Sequence, residues 1–309
     1  MSLRLYYCDN YEIPLPPGHK FPMRKYKMLR EALAAEGGYD FRESPLADYE
    51  SIALVHDQSY VSAFLSGDIA PAVIRRIGFP WSVGLVRRTL ASVGGTISAA
   101  EHALREGFSG GLAGGTHHAF RSEGAGFCVF NDVAVAIASL RVRGLIHRAC
   151  VVDLDVHQGD GTAKLFEDDS DVLTISVHGK NNFPFRKQFS KLDIDLPDGA
   201  GDSEYLAVIP SVLERAIAFG PDIIFYQSGV DGLVSDKLGR LALTHEGLQR
   251  RDRMVLEACL DYGVPCAITL GGGYSDPVEP TVEAHANTFR AAAECYSKYT
   301  SALKNILNA

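Results

Sequence analysis

Residues 149–161 read Ala-Cys-Val-Val-Asp-Leu-Asp-Val-His-Gln-Gly-Asp-Gly, an apolar run that ends in two aspartates and a histidine spaced by two. A short, valine-rich apolar run bounded by glycine is the pattern of a strand buried on both faces. On extended backbone, a spacing of two sends Asp153, Asp155 and His157 out of the same face. A strand end carrying solvated acids is the plain alternative, but the apolar residues before it predict burial. Buried carboxylates this close repel one another, and a cation between them resolves the conflict.

Working outward, further short apolar runs read as strands: 3–8, 110–115, 172–178, 222–229 and 266–273. Helical patterns lie between them at 24–37, 86–107, 131–144, 203–220 and 243–263, several closed by glycine. Alternation of this kind predicts an α/β fold, a parallel sheet covered on both faces. No Ser/Gly/Pro-rich linker and no internal repeat divides the chain, so residues 1–309 are expected to form a single doubly wound domain. In such sheets, ligands gather outside the carboxyl ends of the strands. Four strand ends carry unusual polar residues: Thr116-His117-His118, Asp153 to Asp160, Ser228 to Asp231, and Gly271-Gly272-Gly273-Tyr274.

Asp155 and His157 make a pair of metal ligands, with Asp231 from another strand end as the third; one imidazole and two carboxylates suit a catalytic divalent metal with an open position. Zinc is the usual occupant of such a set, and iron(II) fits it too. A lone histidine is usually structural. His117 and His118 instead stand side by side in a glycine-rich segment, with Asp153 and Asp160 available as separate carboxylate partners, which is the composition of an acid/base pair. Tyr274, after three glycines, is placed either to cap the core edge or to donate to an oxyanion. His19, His56, His102, His147, His178, His245 and His285 lie outside this constellation, and Trp81 reads as a loop anchor or part of an entrance rim.

The net charge of −8 carries no run of lysine and arginine, so neither a nucleic-acid footprint nor a polybasic membrane patch is expected. The six cysteines are scattered singly, mostly in apolar runs, which fits a reducing cytoplasm. Neither a leader-like amino terminus nor an apolar segment of membrane-spanning length occurs, and a soluble protein is expected.

Together the segments 114–120 (GGTHHAF), 124–132 (GAGFCVFND), 151–161 (VVDLDVHQGDG), 227–244 (QSGVDGLVSDKLGRLALT) and 271–274 (GGGY) resemble the histone deacetylase family in order and spacing across most of the chain. The resemblance implies an eight-stranded parallel sheet of the arginase/deacetylase-like kind. It implies zinc on Asp155, His157 and Asp231, and hydrolysis of an N-acyl-lysine amide by a metal-activated water. It makes His118 with Asp160 the acid/base group, His117 with Asp153 an electrostatic support, and Tyr274 the oxyanion donor. It also implies a potassium ion on Asp153, Asp155, His157, Ser176 and Val177, largely through main-chain carbonyls, and a substrate tunnel of Gly126, Phe127, Phe183 and Gly272, with Arg24 lining an internal exit cavity. His157-Gln158-Gly159 and the stretch 236–252 look most like the class IV branch and its bacterial relatives. The partner implied is an acylated lysine peptide or protein, or a small acylated amine, with no nucleic acid and no membrane.

Three other readings compete. Arginase-type ureohydrolases share the fold but use two manganese ions, and would want acids where Gly159 and Leu233 stand. An acetylpolyamine amidohydrolase would share the whole catalytic set and differ in the loops at the entrance. A non-catalytic acyl-amine binding protein would have little need for both histidines, both supporting acids, three metal ligands and the tyrosine.

Overall fold

The structure, a computed structural model, describes residues 2–307. Eight strands run in chain order β1 Leu3–Tyr7, β2 Tyr39–Glu43, β3 Phe108–Gly111, β4 Ala149–Asp153, β5 Val172–Gly179, β6 Leu192–Leu196, β7 Ile223–Ser228 and β8 Cys266–Leu270. They form one sheet in the order β2-β1-β3-β8-β7-β4-β5-β6, with every pairing parallel. The expected α/β, eight-stranded parallel architecture is what the chain adopts.

Alternate residues of the central strands enter two different cores. Cys150 and Val152 pack with Ile224, Tyr226 and Ile268 on one face, while Ala149, Val151, Ile223, Phe225 and Ala267 pack on the other. Covering helices occupy both sides: α1 Lys25–Glu36, α8 Asp202–Ala218, α9 His245–Asp261 and α10 Glu279–Leu307 contribute to the first core, and α3 Gln58–Ser66, α5 Val83–Glu106 and α6 Asp132–Val142 to the second. That arrangement explains why the central strands read as unbroken apolar runs. The helix starts are capped as their sequences specify: Ser82 accepts from Leu85 N at 3.0 Å, Asn131 from Ala134 N at 3.0 Å and Thr244 from Gly247 N at 3.0 Å.

Several boundaries differ from the sequence reading. β3 begins two residues before 110 and stops at Gly111, leaving 112–118 as a loop. β4 ends at Asp153, so Asp155 and His157 lie on bent chain rather than on one strand face. The two edge strands, β2 (YDFRE) and β6 (LDIDL), escape detection because half-exposed edges mix charged with apolar residues instead of showing an apolar run. α10 carries a legible signal, apolar side chains at 282, 286, 289, 292 and 296, which the reading above does not use. Four shorter helices, α2 Tyr49–Ala53, α3, α4 Pro71–Ile77 and α7 Asp160–Leu165, were likewise not anticipated.

The four strands with unusual carboxyl ends, β3, β8, β7 and β4, are consecutive in the sheet. Their loops therefore meet at its centre. No helix among the described residues is long and apolar enough to cross a membrane.

Candidate active site

Beyond Asp153 the chain leaves the sheet, and its amides need new partners. Side chains supply them. Asp153 Oδ1 accepts from Asp155 N at 3.1 Å, and Asp155 Oδ1 accepts from His157 N at 2.9 Å. These successive i→i+2 bonds bend the chain and turn Asp155 and His157 to one point. Asp231, at the end of β7, is tied in by accepting from Val156 N at 3.0 Å.

Asp155, His157 and Asp231 are buried, with one donor atom of each within 4.8 Å of the others. His157 Nδ1 lies 3.0 Å from both Asp155 Oδ1 and Asp231 Oδ2. Burial, reinforced by the charge of Asp155, pushes Asp231 up to about 7. Burial alone would lower the pKa of His157, but its bonds to the two carboxylates raise it to about 10. A proton on His157 thus occupies the place where a cation relieves two buried carboxylates, and a donor set of one nitrogen and two oxygens fits a divalent metal.

The two neighbouring histidines are held by separate acids. His117 Nδ1 lies 2.7 Å from Asp153 Oδ2, and His118 Nδ1 lies 2.7 Å from Asp160 Oδ1. Their rings are 4.1 Å apart, centre to centre. Their protonation diverges. Burial alone would lower His117, but the charge and hydrogen bond of Asp153 outweigh it and raise it to about 9. For His118, burial and the charge of His117 prevail over Asp160 and bring it to about 4. One imidazole is therefore an imidazolium at neutral pH and its neighbour a free base.

The segment carrying this pair is fixed from behind. Asp132, at the start of α6, accepts from Gly115 N at 2.9 Å and Thr116 N at 2.7 Å, and Gln227 Nε2 donates to Gly115 O at 2.8 Å. A Cβ at Gly115, where φ is +70°, would stand 1.8 Å from the Leu270 carbonyl oxygen, so only glycine fits.

A cavity of about 420 Å³ leads from the surface to these groups. Phe127 and Phe183 both line it, as do Gly126, Gly272 and Tyr274. Phe183 stands edge-on to His118 with ring centres 4.9 Å apart, and Phe127 lies 6.0 Å from the Tyr274 ring. Gly272 donates to Asp155 Oδ2 at 2.6 Å, so it serves the carboxylate cluster as well as the wall. Burial and the nearby charge of Asp231 raise the Tyr274 phenol well above its ordinary value, keeping it a proton donor. Asp236 holds that residue by accepting from Tyr274 N at 2.6 Å. Ser176 and Val177 lie buried on β5, with Ser176 in register beside Asp153.

Two expectations are corrected. Arg24 does not line an internal cavity: its side chain is 66% exposed and reaches Glu279 at 3.8 Å. The next residue, Lys25, is the one turned inward, because α1 buries Lys25, Tyr26, Leu29 and Leu33 as its core stripe. Lys25 Nζ reaches the carbonyls of Gly272 and Gly273 at 3.4 and 3.3 Å. His285, read as lying outside the constellation, bonds through Nε2 to the Gly272 carbonyl at 3.0 Å. Trp81 anchors a loop by donating to the Phe64 carbonyl at 2.8 Å and is not part of the cavity wall. Lys25, Asp132, Gln227 and Asp236 go unnamed in the sequence reading; Asp132, Gln227 and Asp236 lie within the quoted motifs, and Lys25 follows directly after Arg24.

Comparison with known proteins bears on the family and the fold. A histone deacetylase domain matches residues 19–289. An uncharacterized protein of Picosynechococcus is 45% identical over 96% of this chain and 100% of its own length. A probable deacetylase of Methanothermobacter thermautotrophicus is 31% identical over 88% of this chain and 85% of its own. Among solved structures, a histone deacetylase homologue complexed with SAHA superposes with a TM-score of 0.81 at 25% identity, covering 96% of this chain and 84% of that one. The domain match spans most of the sequence and a solved family member superposes over nearly the whole chain, so the chain belongs to the histone deacetylase family and is a hydrolase acting on amides.

Proposed function

We propose that the chain hydrolyses the amide of N-acyl-lysine, with zinc on Asp155, His157 and Asp231. The observation that carries this reading is the pair of separate His–Asp couples beside a three-ligand group at the foot of an aromatic-walled cavity. A divalent metal in that group supplies acidity to a water and polarises the amide carbonyl.

His118, neutral and oriented by Asp160, accepts the proton of the attacking water and returns it to the leaving amine. His117 keeps its own proton and adds positive charge beside the developing oxyanion. Tyr274 donates a hydrogen bond from its phenol to that oxygen. Phe127 and Phe183 flank the methylene stem of the lysine and keep water from it. Beyond Thr116 and Phe127 lies a further cavity of only about 50 Å³, which suits a short acyl group such as acetyl. A potassium ion on Asp153, Asp155, His157, Ser176 and Val177 would add a cation beneath the carboxylates, in keeping with the burial of Asp153.

The test is single-turnover release of amine from acetyl-lysine peptide, long-chain acyl-lysine peptide and acetylated polyamine, using metal-reconstituted protein and its Asp231→Ala variant. Acetyl-lysine turnover that disappears in the variant supports the reading. Turnover of the polyamine alone would make this an acetylpolyamine amidohydrolase, and metal binding with no turnover of any substrate would favour a binding protein.

A further inference from the structure

The mouth of the cavity is basic, although no run of lysine and arginine marks it in the sequence. Three separate segments converge there. Arg76 lines it from the end of α4, Asn181, Asn182, Phe183 and Phe185 from the loop after β5, and Leu238 and Arg240 from the loop after β7. The residues adjacent to these in sequence carry the same sign: Arg75, Lys180, Arg186, Lys187 and Lys237. Positions 75–76, 180–189 and 237–240 contain no aspartate or glutamate, in a chain whose net charge is −8. Among the described residues, the only carboxylates lining the cavity are Asp155 and Asp231 at its foot.

Arg76 and Arg240 each have one partner, Glu123 at 2.5 Å and Asp198 at 3.2 Å, and all four groups are well exposed. Surface pairs of this kind are weak and exchange readily for another carboxylate. Lys187 is committed to the carbonyls of Asn182 and Pro184, which stiffens the loop carrying Phe183 and Phe185. Phe185 is 85% exposed, an apolar surface placed where the stem of an incoming side chain would cross.

Resting on the acyl-lysine reading above, the geometry points to an anionic substrate: an acyl-lysine peptide with acidic residues beside the modified lysine, recognised by Arg76, Arg240 and their cationic neighbours. A polyamine, which brings several positive charges to the same mouth, is repelled. The carboxylates flanking the lysine take the exposed guanidinium groups while the lysine stem passes between Phe127 and Phe183. Because the contacts are exposed, the preference is salt-sensitive, fading once the screening length falls below about 10 Å.

The test compares kcat/KM for acetyl-lysine peptides flanked by glutamate, by glycine or by lysine, and for N-acetylspermidine, at low and high ionic strength. The glutamate peptide is expected to exceed the lysine peptide by about tenfold at low salt, from a few weak surface contacts, and the ratio to shrink as salt rises. Arg76→Glu/Arg240→Glu is expected to reverse the order, while Arg253→Glu on the distant α9 leaves it unchanged. Equal rates, or a preference for the lysine peptide or N-acetylspermidine, overturn the inference. If no peptide turns over, the acyl-lysine reading itself fails; the charge preference is then judged by anisotropy of the same labelled peptides on the Asp231→Ala variant, where tighter binding of the lysine peptide overturns it.

Discussion

The ammonium of Lys25 sits 5.2 Å from the centre of the Tyr274 ring and bonds to the carbonyls of Gly272 and Gly273, the two residues before that tyrosine. Among the described residues no carboxylate forms an ion pair with it. Burial lowers its pKa to about 8, against the attraction of Asp231, Asp236 and Asp155. The side chain therefore costs stability while it holds the tyrosine loop. Lys25→Met is expected to reduce kcat by up to roughly 10²–10³, the cost of losing an oxyanion donor outright, while the protein melts no lower at pH 7. The sign with pH follows from the lowered pKa. In metal-free protein the folded state sheds the proton near 8 and the unfolded state near 10.5, so the parent gains stability relative to the variant as pH rises through that window, by about 3 kcal/mol. Urea unfolding of both proteins at several pH values measures it, and a difference constant with pH contradicts a buried ammonium.

His118 and His117 are expected to differ in consequence, because only His118 is a free base at neutral pH. His118→Ala should lower single-turnover amine release by roughly 10²–10⁴. Asp160→Asn should follow it in direction. An equal loss from His117→Ala, with no difference between the two in pH profile, would remove the division of labour between them.

Metal is expected to stabilise the fold, since it binds carboxylates that only the folded chain brings together. At a free concentration about a hundred times Kd, the gain is about 2.7 kcal/mol. Thermal melts with and without a chelator read it directly, and the Asp231→Ala variant should show no such gain.

Gly272 leaves no room for a side chain: a Cβ there would stand 1.7 Å from Asp231 Oδ2. Gly272→Ala is expected to displace that carboxylate and weaken metal binding by roughly 10–100-fold, the range seen for disturbed supports of metal ligands, with helix and sheet content retained. Unchanged affinity in a metal titration would show that the loop can move aside.

Arg251, fully buried, pairs with Asp252 at 2.8 Å and donates to the carbonyls of Leu154 at 3.3 Å and Gly229 at 2.5 Å, bracing the two loops that carry Asp155 and Asp231. Arg251→Met leaves Asp252 buried without its cation and should cost about 3–5 kcal/mol. Arg251→Met/Asp252→Leu should cost less than that single change. Denaturant unfolding of the full cycle checks the order, and additive losses would show that the pair is not coupled.

The class of fold was legible because burial on both sheet faces forces long apolar runs, and the sequence from Ala149 to Val156 carries one. The candidate metal-binding residues Asp155, His157 and Asp231, and the pairing of His117 with Asp153 and His118 with Asp160, could be named from residue type and spacing together with family resemblance. The reasoning about a shared strand face was nevertheless wrong in detail: β4 ends at Asp153, and it is hydrogen bonding between aspartates and the following amides that turns Asp155 and His157 inward. The edge strands and Lys25 were not legible, since a half-exposed strand shows no clean period and one lysine in a basic helix start looks like any other. Arg76, Phe185 and Arg240 are far apart along the chain and meet only because the end of α4 and the loops following β5 and β7 surround one cavity. Sequence by itself determined the central strands of the sheet, the chemical inventory and the strand ends that present it, because these depend on local period and residue type. Tertiary structure alone decided which lysine is buried and what charge faces the substrate, because both depend on contacts between segments that share no local pattern.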